Sequence, residues 1–89
     1  MIFMNINELI EIVKKKLQSE IEIQNIKIED KSFLHKNHKG NQIDRFHLKI
    51  SIKSIELKQM SKINSNKKIY KTLSHEMENF IHSLQILIQ

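Results

Sequence analysis

From Met77 to Ile88 the chain runs out of a helical pattern into a stretch that is almost all aliphatic, with Ile81, Leu84, Ile86, Leu87 and Ile88. Apolar side chains at both parities fill both faces of a strand, which predicts an interior strand closing a sheet. One histidine, His82, sits at the mouth of that strand. It reads either as an ordinary core or edge histidine or as a rigidly held ring with one nitrogen facing outward.

The remaining elements follow from apolar spacing. Asn5 and Glu8 stand three apart, as in a capping box, ahead of a stripe at Ile6, Leu9, Ile10, Val13 and Leu17. That spacing predicts a helix over about 7–19. Ile21 and Ile23 share one parity and Ile26 and Ile28 the other, so a break falls at Gln24-Asn25 and a strand covers about 25–29. Phe46, Leu48, Ile50 and Ile52 alternate with His47, Lys49, Ser51 and Lys53, a half-buried strand with one wet face. The segment from Lys58 to Asn66 reads as irregular with short helical pieces. Ser65 or Asn66 is the expected cap of a last helix that buries Ile69, Tyr70, Leu73, Met77 and Phe80. The expectation is one domain over 1–89 of class α+β, with order α-β-β-α-β. It is a three-stranded mixed sheet with helices on one face.

Composition limits the chemistry. There is no cysteine, so the chain has no disulfide, no thiolate nucleophile and no cysteine-based zinc or iron–sulfur site of its own. That suits a reducing compartment. With only four residues in the apolar start Met1-Ile2-Phe3-Met4 and no transmembrane run, a cytoplasmic location is expected, an organelle matrix being the alternative. No carboxylate pair, activated nucleophile or glycine-rich phosphate loop stands out, and no enzymatic activity is expected. The formal net charge is +5, which favours acidic partners. Of 15 basic residues only Arg45 is an arginine, so the charge attracts phosphate diffusely and does not read bases.

Two places concentrate useful side chains. The polar stretch His35-Lys36-Asn37-His38-Lys39-Gly40 between the first two strands carries two histidines and two lysines. It is an ordinary solvated loop, or a loop whose imidazoles reach toward His82 to share a metal centre completed by another molecule. The last helix shows Lys67, Lys68 and Lys71, either a solvated face or one that tracks phosphates.

Several of these segments resemble the BolA family. Asp30-Lys31-Ser32-Phe33-Leu34-His35 is similar to its acidic-x-Ser-x-x-His segment. Phe46 to Ser54 is similar to its second strand, with Leu48 where phenylalanine is usual. Ile69-Tyr70-Lys71-Thr72-Leu73 followed by Ile81-His82-Ser83-Leu84 matches its closing pattern, with Ser83 for alanine. The family's Arg-His-Arg triplet appears here as Ser65-Asn66-Lys67.

The resemblance implies a class II KH-like fold without the GxxG loop that clamps nucleic acid. It also implies a protein that is monomeric alone and pairs with a monothiol glutaredoxin. The two would share a 2Fe–2S cluster, with glutathione, in iron–sulfur trafficking and iron regulation. The family's ligands carry over to His82 and to His35, with His38 as a nearby substitute. Lys36, Lys39 and the lysines of the last helix would meet the acidic partner. Imidazole in place of thiolate would raise the cluster's potential. The alternative implied by the family is a DNA-binding transcription regulator using Lys67, Lys68 and Lys71, weakened by the missing triplet.

Overall fold

A computed structural model describes residues 4–32 and 45–89. Helix α1 covers Ile6–Glu20, strand β1 Asn25–Asp30 and strand β2 Phe46–Lys53. Three short helices follow, α2 at Ile55–Lys58, α3 at Lys62–Thr72 and α4 at Ser74–Asn79, and strand β3 at Ile81–Ile88 ends the fold. The strand order is β1-β2-β3. β1 pairs with β2 antiparallel and β2 with β3 parallel, so the sheet is mixed and the helices provide the crossover.

Asn5 caps α1 as expected, its side chain accepting from the Glu8 N–H at 2.8 Å, but the Glu8 carboxylate accepts from the Asn5 side-chain amide at 2.6 Å and not from the backbone N–H of a full capping box. Its apolar stripe places Leu9, Val13 and Leu17 in the core. There they meet Leu48, Ile50 and Ile52 from alternate positions of β2, with Leu57, Ile69, Leu73 and Ile81. Each fully buried aliphatic side chain contributes roughly 1.5–3 kcal/mol through removal of apolar surface from water. Register extends this face: Ile26 and Ile28 stand opposite Ile52 and Ile50, and Leu84, Ile86 and Ile88 beside Leu48, Ile50 and Ile52. The other sheet face carries Lys27, His47, Lys49, Ser51, Ser83 and Gln85 at the alternate register positions.

Four local expectations are corrected. β3 is an edge strand and β2 the interior one; Leu87, counted as filling a second face, is 44% exposed. The aliphatic run satisfied the composition of an interior strand without the pairing of one. The last helix begins at Ser61, not at Ser65 or Asn66, because the Ser61 hydroxyl accepts from the Asn64 N–H at 3.1 Å. Ser65 is buried inside that helix and donates to the Lys62 carbonyl at 3.0 Å. The helix also breaks at Leu73, with φ −101° and ψ 20°, so Met77 belongs to α4 although its N–H still donates to the Leu73 carbonyl. Finally, Tyr70 is not core: it is 40% exposed and its hydroxyl donates to the Leu84 carbonyl at 3.2 Å.

Candidate functional site

His82 owes its position to an irregularity in the β2–β3 ladder. Phe46 pairs with Ile81 and His47 with Ser83, so one step on β2 spans two on β3 and His82 is the extra residue. A bulge of this kind leaves the residue out of the regular pairing and re-aims its side chain. Ile81 before it is buried in the core, while His82 is exposed. An anchored backbone thus presents a solvent-facing imidazole.

Beside it lies a second imidazole that sequence reasoning left on the wet face of β2. The rings of His47 and His82 have centroids 4.9 Å apart and are tilted by 46°. His47 Nδ1 lies 2.6 Å from the Ser83 hydroxyl, its register partner on β3. The backbone of His47 is held as firmly. Its N–H donates to the Ser32 hydroxyl at 3.0 Å, and its carbonyl accepts from the Lys31 N–H at 2.7 Å. The Ser32 N–H in turn donates to Asp30 Oδ1 at 2.9 Å. The acidic-x-Ser spacing at Asp30 and Ser32 therefore builds a turn that fastens the end of β1 to His47.

Ser32 and Arg45 both belong to this corner. Arg45 donates from its guanidinium to the Glu78 carbonyl at 2.9 Å, and the Phe46 N–H donates to the Phe80 carbonyl at 2.8 Å. His35, His38, Lys36 and Lys39 lie outside the described residues. Among the described residues no group of three or more His, Cys, Asp or Glu side chains could hold a metal ion. The signal that could have paired His47 with His82 is the register of two parallel strands, which a lone sequence does not contain.

The expected lysines form a separate place. Lys67, Lys68 and Lys71 of α3 line a groove with Lys16 of α1 and Thr72. Two of these charges are already matched. Lys68 Nζ lies 2.6 Å from Glu56 Oε2, and Lys16 Nζ lies 2.6 Å from Glu76 Oε2. The Lys68 bond, helped by the Glu22 N–H, holds the Glu56 carboxyl below its usual pKa. Lys67 and Lys71 have no carboxylate partner among the described residues and are exposed. His75, aligned with them by spacing, sits on α4 beyond the break and packs edge-on against Phe80.

A mixed three-stranded sheet covered by helices, with an exposed histidine at the start of its last strand, defines a small α+β domain. The family profile described as BolA-like protein matches residues 17–89, and the chain belongs to that family. It is 30% identical over 76 residues to the DNA-binding transcriptional regulator BolA of Haemophilus influenzae, covering 85% of this chain and 71% of that one. It is 31% identical over 78 residues to the chloroplastic protein BOLA1 of Arabidopsis thaliana, covering 84% of this chain and 49% of that one. The solved structure of BolA1 from Arabidopsis thaliana is similar with TM-score 0.75 and 29% identity, over 89% of this chain and 87% of that one. No helix of the described residues is long and apolar enough to cross a membrane.

Proposed function

We propose that this chain is a non-enzymatic adaptor that binds a monothiol glutaredoxin and shares or delivers a 2Fe–2S cluster as cargo. The observation that carries the reading is the bulge that exposes His82 beside His47, at the corner where the chain leaves β1 and enters β2. His82 is the proposed ligand from the folded body, and His35 or His38 the second ligand. His47 is a positioning residue whose ring packs on that of His82 and whose backbone is fixed by Ser32 and Lys31. The donor set suits this cargo in one respect above others: the chain has histidines and no thiolate. It can complete one iron of a cluster whose remaining ligands come from the glutaredoxin and glutathione.

The test is a titration of this protein into cluster-loaded monothiol glutaredoxin, followed by visible circular dichroism. A new spectrum that saturates at one-to-one is the expected result. His82→Ala should abolish the new spectrum while amide chemical shifts in the core stay unchanged. A His82→Ala protein that yields the same heterodimer spectrum overturns the assignment.

A second reading is a DNA-binding regulator, favoured by the name of the Haemophilus relative and by the lysine groove between α1 and α3. If only Lys67 and Lys71 neutralise phosphates, raising salt from 50 to 200 mM weakens binding by about tenfold; four free lysines would weaken it by about a hundredfold. Duplex binding with the shallow slope would support this reading, and salt-independent or absent binding would remove it.

A further inference from the structure

The two edges of the sheet are protected very differently. β1 carries Lys27, Glu29 and Asp30, with Lys31 just beyond it, and Glu29 pairs with Lys31 at 3.5 Å and with Lys27 at 4.0 Å. Charges of this kind keep a sheet edge from pairing with other chains. β3 has none: from Phe80 to Gln89 no side chain is charged, in a sequence that is 28% charged. The Gln89 N–H donates to the Ile52 carbonyl, which fixes the parity of the ladder. Ser83, Gln85 and Leu87 turn their amides toward β2, and Leu84, Ile86 and Ile88 turn theirs outward. The Tyr70 hydroxyl on the Leu84 carbonyl marks that outer side and covers one of its acceptors. Under the edge runs a groove of about 330 Å³ between β3 and the helices, with Leu57, Met60, Ile86 and Ile88 among its walls and Lys58 and Lys62 at its rim.

We infer that the outer edge of β3 is a docking site for an extended segment of an acidic partner protein, which adds to the sheet as a fourth strand. The backbone of Leu84, Ile86 and Ile88 supplies the hydrogen bonds, and the groove receives one or two apolar side chains from the core-facing side of the added strand. The charge of the rim chooses the occupant. Lys58 and Lys62 at that rim have no carboxylate partner among the described residues, so acidic residues flanking the added strand find cations along α2 and the first turn of α3. A second copy of this chain would bring the same lysines toward them. The inference needs no metal and stands apart from the role of His82.

The test uses the full chain, labelled with nitrogen-15, and a synthetic peptide of alternating valine and threonine with two glutamates at each end. The expected result is one-to-one binding with slowed amide exchange at Leu84, Ile86 and Ile88. Methylating the peptide's alternate amide nitrogens should weaken binding roughly tenfold or more, because it removes backbone donors and leaves charge untouched. Replacing the glutamates by lysines should weaken it as well. No change along β3 at millimolar peptide overturns the inference. So does binding that ignores methylation, which would be charge attraction alone. Concentration-dependent dimerisation of the chain that Ile86→Pro removes, with core amide shifts retained, would assign the edge to a second copy and overturn the acidic occupant; proline there deletes an outward N–H and trims a groove side chain without breaking a bond to β2.

Discussion

Replacing Ser54 by alanine tests how the short helices are fastened to the sheet. The Ser54 hydroxyl is buried between two elements. It accepts from the Leu57 N–H at 3.1 Å as the cap of α2 and donates to the Glu22 carbonyl at 2.7 Å, just ahead of β1. Glu22 answers with its own N–H on Glu56 Oε1 at 3.0 Å. Loss of the cap costs about 1 kcal/mol. Loss of the part-buried bond to Glu22 costs about 1 kcal/mol more, the typical net contribution of such a hydrogen bond. With about 2.1 cal/mol/K of unfolding entropy per residue over 89 residues, a total of about 2 kcal/mol lowers Tm by roughly 10 °C. Ser61→Ala is the matched control: the same kind of cap on α3, but exposed, so water takes over part of its role and about 1 kcal/mol or less is lost. Urea unfolding of both variants at one pH, with unchanged slope, measures the difference. If Ser54→Ala loses no more stability than Ser61→Ala, the bond between elements contributes nothing and the reasoning fails.

Two further outcomes concern buried and surface charge. Glu76 is 2% exposed, with Oε2 on Lys16 and Oε1 without a partner among the described residues. Lys16→Met should therefore destabilise by about 2–4 kcal/mol, and adding Glu76→Met should recover part of that loss in urea unfolding, since the stranded carboxylate is then gone. Glu56 has a folded pKa below its ordinary 4.5, held down first by Lys68. Its contribution is complete above 4.5 and is lost as pH falls through the depressed folded value. Glu56→Gln should flatten the stability curve on that acid side and leave its neutral-pH slope unchanged, as read by thermal melts between pH 3 and 7.

Alternation and helical spacing were enough to place α1, β1 and β2 within a residue or so of their observed bounds, and the aliphatic run after Phe80 marked β3. The mixed sheet with its helical crossover could also be read from the order of those elements. Helix ends were harder. Ser61 and Ser65 are the same residue type, and which one caps α3 depends on where the preceding turn delivers the chain, so a local pattern fits both. The closing pattern around Tyr70 and His82 was legible as a family resemblance, while the edge position of β3 was not.

By itself the sequence determined which side chains could share a core, because burial of apolar surface follows periodicity along the chain. It determined too that no metal bound here meets a thiolate of this chain, since cysteine is absent. The tertiary structure alone decided what depends on register. His47 and His82 lie 35 positions apart in the chain, yet one bulge sets their rings 4.9 Å apart. Lys68 and Glu56 meet, and Lys16 and Glu76, because helices pack and not because charges alternate. Pairing between strands is a contact between distant segments, and the free energy that selects it comes from the shared core, so no local stretch encodes it.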